Sequence, residues 1–338
     1  MSTSKMRGLT NKTRRKVGGK KIGQGVYGSV YSPPLKCTDG SEFDFISDEF
    51  VSKTVIKSVA YKEFNNSQMV RILDPDEQWF LTVRHICELA EEQTNTNFRR
   101  NKESRKVLRN KKGEPLQART VQLILKNGGQ PLISLLEKPG VVYNTKDYTH
   151  NVVLDYEWSK LPLVIKCIKN IIPGLDILNK KYIHNDLHFG NIVYDGSTSH
   201  IIDFGFLETI DNSIDDITEY LNSFLPRAND NENTTKHFNN EFMKSLIQIT
   251  DDIKLIELIS TLLVKKDSSG IIMKTLRSSI YKYVLSTDLR RVFEILEDLF
   301  QNKGCKEAFP GIYDGFINIK PKPIGRKGYI DLIMRLPE

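Results

Sequence analysis

The sequence predicts an α+β fold, a small antiparallel sheet followed by a larger, mainly helical region. Three observations lead there: a glycine-spaced hairpin pattern in residues 21–31, strand-like alternation in FVSKTVIK at residues 50–57, and Ile and Leu at helical spacing from Leu161 onward. A chain of 338 residues can bury one large core or two modest ones. A two-lobed enzyme therefore fits, and a miniature disulfide scaffold does not.

The elements follow in chain order. Residues 1–16 are polar, basic and almost free of large apolar side chains, so a disordered tail is expected there, with order beginning near Val17. In KIGQGVYGSVY, β-type residues flank a glycine-spaced turn, which predicts two strands and a tight loop. Pro33, Pro34, Asp39 and Gly40 mark a connection into the third strand, FVSKTVIK. Phe64, Met69, Val70 and Leu73 predict a helix over 61–73, stopped by Asp74-Pro75. Residues 121–125 read as a buried strand, and Asn127-Gly128-Gly129 as a turn. An N-terminal lobe over 17–126 and a C-terminal lobe over 127–338 follow. Residues 161–179 are helical in pattern, although Pro173 is expected to kink or divide them. The remainder past Asp211 is mostly helical in pattern, with an Asn-rich surface loop at 227–240.

Net charge is +7, unevenly spread. Lys5, Arg7, Lys12, Arg14, Arg15, Lys16, Lys20 and Lys21 occur without an acidic residue among them, and a second basic cluster spans 99–112. A solvated tail and loop face is one reading; nucleic-acid contact, nuclear targeting or docking to an acidic partner is the other. Cys37, Cys87, Cys167 and Cys305 are far apart and form no C-x-x-C pair, so neither a zinc site nor a disulfide framework is expected. A reducing intracellular setting is the corresponding default. No apolar run reaches the roughly 18 to 20 residues of a bilayer span, and the basic N-terminus lacks a signal-peptide core.

The chemistry-bearing residues begin at Gly23-Gln24-Gly25-Val26-Tyr27-Gly28, a G-x-G-x-x-G whose bare backbone lets N–H groups approach phosphates. Ile22 precedes it and Val30 follows, and strands on both sides disfavour a dinucleotide-binding turn that opens into a helix. A plain hairpin is the bland alternative. Lys53, on the following strand, is placed to reach the α- and β-phosphates of a nucleotide. Glu63 on the next helix is expected to hold it by an ion pair, in preference to Glu77 or Glu88. His184 to Asn191 form H-x-D-x-x-x-x-N, in which Asp186 would orient a hydroxyl and accept its proton while Asn191 holds a metal ion. Asp203-Phe204-Gly205 adds a second hard oxygen ligand suited to Mg²⁺.

In this order the motifs resemble the eukaryotic-type protein kinase superfamily over residues 21–207. The opening GGKKIGQGVYGSVYSPPLKC and the Y-x-H-N-D-L-H-x-G-N-I loop are most similar to serine/threonine-protein kinases of large double-stranded DNA viruses, of the iridovirus and mimivirus kind. The resemblance implies a bilobal protein-kinase-like fold, ATP and Mg²⁺ as cofactors, and a nucleotide cleft between a sheet-rich and a helical lobe. It also implies Leu123 near the gatekeeper position, residues 124–126 as an adenine-binding hinge, and a host-cell or virion location.

Three departures bear on the acceptor. Asn185 stands where many of these kinases have arginine, which implies activity without a phosphorylated activation loop. His188 replaces the usual lysine, as in aminoglycoside, choline and haspin-like kinases, and no A-P-E follows. The acceptor expected from the resemblance is a protein serine or threonine, while His188 and the missing A-P-E favour the alternative, a small-molecule hydroxyl. A non-catalytic pseudokinase that binds partners through its basic segments is a third reading, against which Lys53, Asp186, Asn191 and Asp203 stand intact.

Overall fold

The computed structural model describes residues 19–24, 28–41, 45, 47–90, 120–137, 156–213, 281, 284–312 and 326–337. The expected basic tail, the basic cluster at 99–112 and the Asn-rich segment at 227–240 lie outside the described residues. The chain divides into two compact units, one of Met1–Phe64 with Val83–Asn127, the other of Asn65–Thr82 with Gly128–Glu338.

The first unit is built on a five-stranded antiparallel sheet of order β1-β2-β3-β5-β4. Its strands are β1 (Lys20–Gln24), β2 (Ser29–Ser32), β3 (Phe50–Ile56), β4 (His85–Glu88) and β5 (Thr120–Lys126). β3 and β5 pair along their whole length, from Phe50↔Lys126 to Ile56↔Thr120. Successive side chains of a strand point to opposite faces, and each face here has its own cluster. Val55, Val121 and Leu123 pack with Ala60, Phe64, Val83 and Ile86 on one side. Ile124 packs with Cys37, Cys87, Phe45 and Phe50 on the other. The four residues of β4 carry no strong strand signal of their own, and pairing with β5 makes the strand.

Helix α1 (Lys57–Leu73) leaves β3 without a loop, four residues earlier than the sequence pattern places it. It ends at Asp74, whose carboxylate accepts the N–H groups of Gln78, Trp79 and Phe80 at 2.7–2.9 Å. Those three bonds fix the chain reversal that Asp74-Pro75 announces.

The second unit has one large apolar cluster, into which α3 (Leu161–Leu178) places Ile165, Ile168, Ile171, Leu175 and Leu178. The helix is continuous through Pro173, so of the two expected outcomes, a kink or a division, the division does not occur. An interior proline costs about 3 kcal/mol, whereas each large aliphatic side chain fully buried contributes about 1.5–3 kcal/mol. Around α3 lie the short helix α2 (Leu132–Leu136) and the three-stranded sheet of β6 (Gln130–Pro131), β8 (Ile192–Tyr194) and β9 (Ser199–Ile201). β7 (Tyr182–Ile183) pairs with β10 (Glu208–Thr209). Helix α4 (Thr287–Gln301) buries Leu289, Val292, Phe293, Leu296 and Phe300 at helical spacing, beside α5 (Lys303–Ala308) and α6 (Arg326–Met334). Arg326 clamps α6 to α3 through the Asp176 carboxylate.

The molecule is α+β in class, and none of its described helices is long and apolar enough to cross a membrane. The expectation about the cysteines needs correction: Cys37 and Cys87 form a disulfide, with Cα atoms 5.7 Å apart and a sequence separation of 50. A β-bridge between Cys37 and Leu89 sets the two side by side. That neighbourhood is tertiary, and cysteine spacing does not carry it. Cys167 and Cys305 are buried free thiols.

Candidate functional site

Pairing across the sheet sets Gly23, Val30, Lys53 and Leu123 directly opposite one another on β1, β2, β3 and β5. Opposed residues share a face, so the Lys53 stem lies on the side of the sheet that carries Leu123 and is packed by α1. There the Lys53 ammonium meets Glu63 of α1, Nζ to Oε2 at 2.9 Å, with side chains 18% and 5% exposed. A carboxylate this deeply buried depends on its partner, and removing one member of such a pair costs about 3–5 kcal/mol. The other two candidate carboxylates are engaged elsewhere. Glu77 accepts from the Thr82 hydroxyl at 2.9 Å, and Glu88 pairs with Lys57 at 2.8 Å.

Leu123 is fully buried, and residues 124–126 form the end of β5. Ile22 is the extra residue where the β1–β2 register shifts, and it is half-exposed. Gly25, Val26, Tyr27 and the Gln24 side chain lie outside the described residues. The two remaining glycines differ. A Cβ on Gly28 would collide with the Thr54 carbonyl oxygen, so the close approach to β3 is sufficient reason for glycine there. At Gly23 the nearest described atom to such a Cβ is 3.6 Å away, ordinary contact, and no described neighbour demands glycine.

In the second unit, Asp186 and Asn191 are drawn together by a turn of backbone. The Asn191 amide Nδ2 donates to the Asp186 carbonyl at 2.8 Å and to its carboxylate at 3.3 Å. With the nitrogen committed, Oδ1 is the end of the amide suited to a hard cation. Asp203 follows β9 in the left-handed region, φ 66°, a conformation that disfavours side chains and is held here by its surroundings. Phe204 is buried against Phe80 and His184, ring centroids 5.9 and 5.3 Å apart. His184 is fully buried: Nδ1 accepts from the Asp186 N–H at 3.3 Å, so Nε2 carries the proton toward the Ile202 carbonyl at 2.9 Å. Its role is to support the loop.

His188 turns Nδ1 to the Gly190 N–H at 3.0 Å, leaving Nε2 4.0 Å from the Asp186 carboxylate on an exposed edge. Asn185, at φ 62°, donates to Glu208 at 3.0 Å and so joins the loop to β10.

Two residues escaped the sequence reading. Asp288, 1% exposed on α4, accepts the N–H groups of His184 at 2.9 Å and Asn185 at 3.3 Å and the Asn179 amide at 2.7 Å. Asn66, one turn beyond Glu63 on α1, donates to the Phe204 carbonyl at 2.8 Å. An acid in a helix's first turn is too common to single out Asp288, and nothing in the local pattern marks Asn66. No family model matches the chain, and no curated protein matches it.

Proposed function

We propose that the chain is an ATP-dependent kinase with a bilobal, protein-kinase-like fold, moving the γ-phosphoryl group of ATP to a serine or threonine hydroxyl of a protein. The observation that carries this is the Lys53–Glu63 pair, because a lysine on a strand is ordinarily solvated and this one is held by a buried carboxylate. In this reading Lys53 grips the nucleotide phosphates, Gly23, Gly25 and Gly28 cover them, and Ile22, Val30 and Leu123 line the adenine side. Asp186 orients the acceptor hydroxyl and takes its proton. Asn191 and Asp203 would hold Mg²⁺, and their oxygen donors fit that ion. Bound there, it would neutralise phosphate charge. The Asn185–Glu208 bond supports a loop ordered without phosphorylation.

Replacing Asp186 by Asn removes the base and preserves the shape. Transfer to a basic protein from labelled ATP should fall by about 10²–10⁴-fold, with nucleotide binding retained, and phosphatase pretreatment should leave the wild-type rate intact. Full activity in the D186N protein would overturn the assignment. His188, beside Asp186 where the protein kinases carry lysine, favours a second reading with a small-molecule hydroxyl as acceptor. Offering amino-sugars and choline in the same assay separates the two.

A further inference from the structure

The face of the first unit's sheet opposite Lys53 carries a second cluster of reactive side chains. Cys37, His85 and Cys87 bring one ligand atom each to within 4.8 Å of one another. His85 and Cys87 are two residues apart on β4 and so point the same way. The loop carrying Cys37 is stitched to this strand by backbone bonds, Thr38 N–H to Glu88 at 2.9 Å and Ala90 N–H to Lys36 at 3.0 Å. Opening the disulfide would therefore leave the two sulfurs adjacent.

The imidazole is prepared as well. Asp39, a carboxylate with no proton to give, accepts the Ser41 hydroxyl proton at 2.6 Å and the Ser41 N–H at 3.0 Å. Ser41 Oγ is then an acceptor toward His85 Nε2 at 2.7 Å, so Nε2 carries the ring proton and Nδ1 carries the lone pair. Phe45 stacks on the ring at 5.7 Å and 21°, fixing its plane. Such a carboxylate-backed relay is the support a metal-bound imidazole uses. The buried Gln122 amide lies 3.2 Å from both sulfurs, an N–H donor suited to thiolates.

We propose that, once reduced, Cys37 and Cys87 join His85 Nδ1 in binding one zinc-class divalent cation, and that the disulfide is the metal-free state of the same site. Two thiolates and an imidazole are the donors zinc prefers, with the fourth tetrahedral position left to water. Reduction takes two electrons and two protons from a dithiol, which leaves as its own disulfide. The cation then displaces the two thiol protons to solvent and forms two metal–sulfur bonds and one metal–nitrogen bond. This inference is independent of the phosphoryl-transfer reading.

The test uses the full chain, reduced with a phosphine, desalted without oxygen and titrated with Co²⁺. Expected are a thiolate-to-cobalt charge-transfer band that saturates at one ion per chain, its displacement by zinc, and its absence from the oxidised protein. C37S and C87S should each abolish it, and S41A should weaken binding about 10- to 100-fold. No band from the reduced wild type, a disulfide that resists the phosphine, or a band surviving in both Cys→Ser variants would overturn the proposal. Should those variants fail to fold, alkylation of reduced wild type followed by mass spectrometry decides. Zinc should protect Cys37 and Cys87, and full labelling of both at saturating zinc rejects the site.

Discussion

At the scale of single residues, Asp288 holds the His184–Asn185 backbone beside Asp186 without touching Asp186 itself. Its buried carboxylate is the acceptor for the backbone that leads into Asp186, 104 residues away from His184 in sequence. Replacing it by Ala leaves three donors without a charged acceptor, so D288A should lose about 3 kcal/mol of stability. Urea denaturation measures this, and a loss below about 1 kcal/mol would mean that water replaces the carboxylate. The contrast with Asp186 and Asn191 is physical. Those two lie within one turn of chain, so their spacing can be read in the sequence. Asp288 and Asn66 act across tertiary distances, where a lone polar residue in a helix leaves no distinguishing local mark.

At the scale of elements, the two described glycines of the β1–β2 hairpin differ in what their neighbours demand. G28A should destabilise the sheet, because its methyl meets the β3 backbone, whereas G23A should fold normally and, on the proposed function, weaken ATP binding. Thermal melts beside nucleotide titrations distinguish the two, and equal melting losses would remove the special status of Gly23. The turn between β8 and β9 titrates. Burial alone would raise the Asp195 carboxyl, but the N–H groups of Thr198 and Ser197 and both hydroxyls outweigh it and hold it at about 2, against 3.8 unperturbed. A depressed carboxyl stabilises above its unfolded pKa and loses that contribution as pH falls through the folded one. The stability gap between wild type and D195A should thus be full at about pH 5 and shrink toward pH 2 in chemical denaturation. Elements with strong internal periodicity, such as β3 and α3, were legible in the sequence. β4 was not, because its partner β5 makes it a strand.

At the scale of the molecule, the two units have separate cores, and only the first is cross-linked among the described residues. Closing a loop of 50 residues removes roughly 4 kcal/mol of unfolded-chain entropy. Reduction in the absence of metal should therefore lower the melting transition of the first unit and leave the second unchanged. Calorimetry with and without a phosphine reports this, and one transition shifting as a whole would show that the units unfold together. That the chain combines an antiparallel sheet with several helices was readable from periodicity. The disulfide was not, since it depends on which loop lies against β4.

The alternation along β5 has a consequence beyond either site. Leu123 belongs to the face of Lys53, while Gln122 and Ile124 belong to the face of the sulfurs. A slip of one residue would exchange the two sets. The proposed phosphate-binding face and the proposed cysteine site therefore depend on one register, and a length change inside this strand that displaces one set of side chains displaces the other.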